Sequence, residues 1–226
     1  IGTLMWFLFP RFSFHSTLSY PQLMKSMAHL WQRYPDLRRA AFAQGFVSIS
    51  FSAFWATLAV MLLEKYQLGS AVAGTFGIAG AAGALAAPLA GGLADKVGAE
   101  KVTQLGAALV SISFALMFVL PFVPAHAQLV IIALAAVGFD LGLQSSLVAH
   151  QNLVYGLEPQ ARGRLNALLF TVVFIEIALG SALGSKVYTV AGWSGVVALA
   201  TLTGLIALVI RLVDNRRLQA AARNVG

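Results

Sequence analysis

A chain of 226 residues with 59% hydrophobic and only 10% charged side chains is too apolar for a water-soluble domain, where charged residues alone make up about a quarter. Its net charge of +7 would suit a nucleic-acid surface if the basic residues were clustered, but they lie in short segments between apolar runs, so membrane topology is the reading and no nucleic-acid partner is expected. The absence of cysteine excludes disulfides, thiolate chemistry and thiolate metal sites together.

In chain order, Ile1 to Phe9 is apolar but too short to cross a hydrocarbon core of ~30 Å. It reads as the end of a truncated transmembrane helix whose start lies upstream, so a missing partner half is expected there. Residues 10–39 are polar, basic and broken by Pro21 and Pro35, as in a cytoplasmic interdomain linker. Within them Met24, Met27, Leu30, Trp31 and Tyr34 recur at helical spacing beside Lys25 and Arg33, which predicts a short helix on the membrane surface.

Six spanning candidates make up residues 40–213: Ala40 to Leu63, Ser70 to Ala94, Val102 to Pro121, Gln128 to about Ala149, Leu165 to Val187 and Gly195 to Val213. The fold class is therefore all-α, a polytopic membrane helix bundle. Short connections force neighbouring helices to run antiparallel, and thirteen of the fifteen Lys and Arg then share one side, only Lys65 and Lys186 lying opposite. The positive-inside rule makes that side cytoplasmic, with the polar tail 214–226 on it. Small residues four apart (Gly83, Ala87 and Gly91; Gly180 and Gly184), with Gly74, Gly77 and Gly80 in the same span, predict close helix packing in the second and fifth spans.

Two acids stand out. Asp140 falls near the middle of the fourth span, where a carboxylate costs roughly 2.5–3.5 kcal/mol on insertion scales and is kept for binding a proton, an ion or a substrate. Asp140, Gln144 and Gln151 share one helical stripe, and Gln44, Ser48, Ser52 and Trp55 make a comparable stripe on the first span, so the two are expected to face a common cavity. For Ser48 and Ser52, cross-linking of helices is the stronger reading. Glu176 lies mid-way along the fifth span, and two readings stand: it sets the charge of an accepted substrate, or it is buried and stays protonated. His15, His29, His126 and His150 are not spaced with other ligands for a metal site, and His150 reads as a polar residue at headgroup level.

The connection from Gly91 to Lys101 contains Gly91, Leu93, Asp95, Lys96 and Gly98 in the pattern Gly-x-Leu-x-Asp-basic-x-Gly, and resembles the corresponding loop in the second half of the major facilitator superfamily. Ala99 and Glu100 replace the basic pair usual there. Asp140-x-Gly142-x-Gln144, Gln151, the run from Glu158 through Ala161, Arg162 and Arg164 to Asn166, and Gly180-Ser181-Ala182-x-Gly184 are similar to the last three helices of bacterial drug and sugar efflux permeases of the drug:proton antiporter type. The resemblance implies the second half of a twelve-helix fold in a bacterial inner membrane. It also implies proton-coupled efflux of a small-molecule substrate, drug-like or sugar-like, by alternating access, with no cofactor.

The loop has its own physics. Asp95 follows a cytoplasmic helix end, where the dipole disfavours an anion, so pairing with Lys96, Lys101, Arg162 or Arg164 is expected to close that face, against the plainer reading of a solvated charge. Gly98 is expected to supply a turn conformation that other residues avoid. An intramembrane hydrolase would need a nucleophile and a base, and Asp140 with Glu176 does not supply one, so no enzyme is expected. No selectivity-filter stretch supports a channel. A structural membrane subunit and an uptake permease are the remaining alternatives.

Overall fold

The structure, a computed structural model, describes residues 19–81 and 86–223, with side chains described except at 70, 79–81, 86–90 and 214–223. The stub at Ile1 to Phe9 lies outside the described residues. Helix α1 spans Tyr20–Arg33, α2 Pro35–Tyr66, α3 Ser70–Ala81, α4 Ala86–Val97, α5 Ala99–Leu116, α6 Ala125–Leu157 and α7 Arg162–Arg223. Short 3₁₀ turns, Met117–Phe122 and Pro159–Ala161, follow α5 and α6. No strand occurs among the described residues, and four stretches are long and apolar enough to cross a membrane: Pro35–Tyr66, Ala99–Phe122, Ala125–Leu157 and Pro159–Val213. The chain is an all-α membrane helix bundle.

Local chemistry explains the boundaries. The Gln22 side chain accepts from the Ser19 backbone N–H at 2.9 Å and Pro21 sits in the first turn of α1, both stabilising a helix start. Pro35 opens α2 five residues before the expected span, and Gln67 ends it in the left-handed conformation at φ 56°. Between α4 and α5, Gly98 adopts φ 90°, ψ 141°, as its place in the loop predicted. A side chain there meets no atom within 4 Å, so strain in the backbone alone opposes it. Gly98→Ala should lower stability by about 1–3 kcal/mol, read as a fall in the unfolding temperature of the purified protein.

The long α7 is two limbs, because Gly192 is non-helical inside it (φ 63°, ψ −161°). Packing partners give the direction of each. Glu176, Gly180 and Gly184 lie on Gly45, Ile49 and Ala53 in the same order, so the first limb runs parallel to α2. Beyond Gly192, Trp193 packs on Phe54 and Thr203 bonds Ser50, so the second limb runs antiparallel to α2. The predicted connection from Tyr188 to Ser194 is thus narrower than expected, a break at one glycine. The polar tail continues as helix to Arg223.

Close packing falls partly elsewhere than the sequence suggested. A Cβ on Gly180 would lie 2.8 Å from Ile49 Cα, and one on Gly184 2.6 Å from Ala53 Cα, so the fifth-span glycines do seat a helix backbone. Gly74 and Gly77, in contrast, have nothing within 4 Å, while Gly83 lies outside the described residues. The tightest other crossing joins α5 to α6 through Gly106 and Gly142, where an added Cβ on either would lie 2.7 Å from the other's carbonyl oxygen. An aromatic cluster of Phe51, Phe54, Phe114, Phe139 and Trp193 fills the core towards the far end of α2. Phe114 and Phe139 stack at 4.7 Å.

Candidate transport site

Asp140 sits near the middle of α6 and is 5% exposed, yet it makes no hydrogen bond and no ion pair among the described residues. Its direction follows from helix geometry, since each residue turns the side chain by about 100°. Gly138 and Gly142, two residues to either side of Asp140, pack against α5, so Asp140 points away from α5. Phe139 and Leu143 meet α2, on the flank. Gln144 and Gln151 lie within a half-turn of Asp140's own direction, so the three share the stripe that α5 and α2 leave uncovered. Gln144 does not bond Asp140; no bond of its side chain occurs among the described residues.

The α2 stripe is used differently. Gln44, 1% exposed, accepts from His150 Nδ1 at 2.9 Å, and its amide makes a long 3.5 Å contact to the Leu143 carbonyl, so it ties α2 to α6. Ser48 bonds the Gln44 carbonyl at 2.9 Å within its own helix. Ser52 donates to Ile177 O at 2.6 Å, the cross-linking role expected of it. Trp55 lies edge-on to Phe54 at 5.2 Å, and its indole N–H is buried without an acceptor among the described residues. His150 corrects the headgroup reading: it is 1% exposed inside the bundle, held by Gln44 and by Ser146 at 3.2 Å. Helix α6 runs past the expected end of its span, to Leu157, and this carries His150 into the core.

Glu176 is 8% exposed and its carboxyl lies over Gly45, where an added Cβ would be 2.7 Å from Cδ. The acid is therefore inside the α2–α7 seam, and Gly45 makes the niche that holds it. Gln151 is engaged rather than free: its amide donates to Asn166 Oδ1 at 3.2 Å and to the Tyr155 hydroxyl at 3.3 Å, and Tyr155 donates to the same Asn166 oxygen at 2.9 Å.

At the basic end of the bundle the expected pairing of Asp95 is absent. Asp95 and Lys96 are exposed, and among the described residues neither forms an ion pair; Gly91 likewise has open space around it. Arg162 donates to the Tyr155 carbonyl at 3.3 Å, and half-buried Arg164 forms no ion pair among the described residues. The acid that pairs is Glu100, one of the two departures from the basic loop pattern. It binds Arg211 of the second α7 limb, which is 3% exposed and also reaches Thr103 Oγ1 at 3.3 Å. Glu100 lies in the first turn of α5, where the helix dipole favours an anion, whereas Asp95 lies near the end of α4, where it does not. A missed signal was thus legible: an acid at a helix start and an Arg at the end of an apolar run.

The junction of α1 and α2 is docked on the same end. Tyr34 donates to Glu158 at 2.9 Å, and Arg38 donates to the Trp31 and Gln32 carbonyls that end α1. The bond to Glu158 pushes the Tyr34 phenol above its ordinary range, so this contact holds through neutral pH and is lost as pH rises through that raised value.

Residues 40–224 match the Major Facilitator Superfamily. The chain is 37% identical over 173 residues to a probable transporter of Streptomyces coelicolor, covering 76% of this chain and 39% of that protein. It is 30% identical over 218 residues to an uncharacterized transporter of Escherichia coli O157:H7, covering 96% of this chain and 54% of the relative. The chain thus spans about half the length, or less, of the curated relatives it matches. With its long apolar helices, the close small-residue packing and a family match across most of its length, this multi-pass membrane chain belongs to the Major Facilitator Superfamily.

Proposed function

We propose that this chain forms one six-helix half of a secondary transporter that moves a small organic solute by alternating access, exporting it in exchange for protons. The observation that carries the reading is Asp140: a buried acid at mid-helix, without hydrogen bond or ion pair among the described residues, on the face of α6 turned away from α5. An acid kept at such a cost suits reversible binding. The two limbs of α7, with α3 and α4 taken together as one span, are consistent with six crossings, and the excess of basic residues at one end supports a cytoplasmic assignment for it. The other half would come from chain preceding Ile1. Gln144 would contact solute or proton beside Asp140, and Trp55 would form an aromatic wall. Glu176, over Gly45, would report the separation of α2 and α7, and Glu176→Gln should change which solutes are accepted more than it changes coupling. The structural-subunit alternative has no comparable observation in its favour.

The test is transport in inverted membrane vesicles carrying the complete protein, with a panel of drug-like and sugar-like solutes. Uptake should follow an imposed pH gradient and fall to the level of empty vesicles when a protonophore collapses it. Uptake that survives the collapse would remove proton coupling from the reading.

A further inference from the structure

Helix α1 carries charge that no described acid balances. Lys25, His29 and Arg33 stand one turn apart along it and are exposed, and among the described residues neither Lys25 nor Arg33 forms an ion pair. No acid occurs between Tyr20 and Arg33. The acids beside the end of α1 are engaged, Asp36 by Arg39 at 3.0 Å and Glu158 by the Tyr34 hydroxyl at 2.9 Å. Part of the apolar set expected to meet the membrane is turned inward instead: Leu30 is 3% exposed and packs with Val154, Ala161 and Leu165, on either side of the connection between α6 and α7.

One flank of α1 stays apolar and faces outward. Tyr20 and Met24 are 74% and 41% exposed, and Trp31, which falls on the same flank at about 100° per residue, packs edge-on to Phe42 at 5.9 Å. Phe42 is itself 43% exposed, near the start of the apolar part of α2, so this flank lies at the depth where a spanning helix meets the headgroups. The stripe of Lys25, His29 and Arg33 lies about 140–200° round the helix from it. A helix held sideways on a membrane bundle, apolar on one flank and basic on the other, has the form of one that lies in the interface of an anionic leaflet. We propose that α1 docks on an anionic lipid surface, with Tyr20 and Met24 among the acyl chains and Lys25 and Arg33 reaching the headgroup phosphates. Through Leu30 and Tyr34 the same surface bears on the connection between α6 and α7. The inference is independent of the transport reading, because it is read from the lipid contact alone.

The experiment is amide hydrogen exchange of the complete protein in lipid nanodiscs, made either of phosphatidylcholine alone or with about a third of phosphatidylglycerol, and read over residues 20–33. The α1 amides should exchange about tenfold or more slowly in the anionic discs, the size expected for two basic residues drawn to a charged surface, and high salt should remove the difference. The double variant Lys25→Gln, Arg33→Gln should exchange alike in both sets of discs. Met24→Glu, which places a charge on the apolar flank, should speed α1 exchange in both. A double variant that keeps the lipid difference would overturn the role of the basic stripe, and unchanged exchange in Met24→Glu would overturn the orientation of the helix. Equal exchange of the wild type in the two sets would overturn the lipid assignment, and if equally slow would place another segment of protein over the stripe.

Discussion

Asp140→Asn should insert and accumulate like the wild type yet lose gradient-driven transport down to the level of empty vesicles. The substitution keeps the shape of the side chain and removes its ability to take and release a proton. Insertion should not suffer, because a neutral amide at mid-membrane costs no more than the roughly 2.5–3.5 kcal/mol of an ionised Asp. The fold should not suffer either, since Asp140 has no hydrogen bond or ion pair among the described residues whose loss would be felt. Solute binding, measured without a gradient, should survive at least in part. The pattern separates a coupling acid from a structural one: a structural acid would show in stability, and Asp140 is expected to show only in coupling. Wild-type transport with unchanged pH dependence in the Asn variant would place the proton site elsewhere.

The sequence made the helices, their order and the two buried acids legible, for a physical reason. Apolar runs long enough to cross a bilayer, and charges inside them, are set by the solvent around the chain and need no knowledge of partners. Gly98 was legible too, because a positive φ follows from local turn chemistry. What the sequence did not reveal depends on which face each helix turns to which neighbour. Gln44 was read as lining a path, but its amide is held by His150 on α6, and nothing in the spacing of α2 distinguishes these outcomes. Gly74 and Gly77 looked like a packing stripe and have open space beside them, whereas Gly142, four residues after Gly138, meets Gly106 in the tighter crossing; the same small-residue spacing stands on α6, and spacing alone does not say which stripe meets a neighbour. The pairing of Glu100 with Arg211 links residues 111 apart, and an exposed pairing of Asp95 was the more visible local pattern.

That crossing gives the largest expected effect on the fold. Gly142 sits two residues after Asp140, and a Cβ there would lie 2.7 Å from the Gly106 carbonyl oxygen and 2.9 Å from a Val110 methyl. The carbonyl belongs to a helix backbone, so it cannot swing aside as a side-chain tip could. Adding even one methyl must push α5 from α6, at about 1–3 kcal/mol or more for overpacking of this kind. Gly142→Ala should therefore lower the unfolding temperature clearly, and Gly142→Leu should leave little protein in a monodisperse peak after solubilisation. Gly163→Ala is the matched control, because Gly163 lies in the first turn of α7 with nothing within 4 Å. There the methyl meets no neighbour and reduces the freedom of the unfolded chain, so stability should hold or rise. Because α5 packs on the side of α6 opposite Asp140, a tolerated Gly142 variant should also turn or shift the carboxyl relative to α2. Reduced transport in a Gly142→Ala protein that remains folded would then trace to the position of Asp140, and full stability in Gly142→Leu would show that the two helices do not meet there.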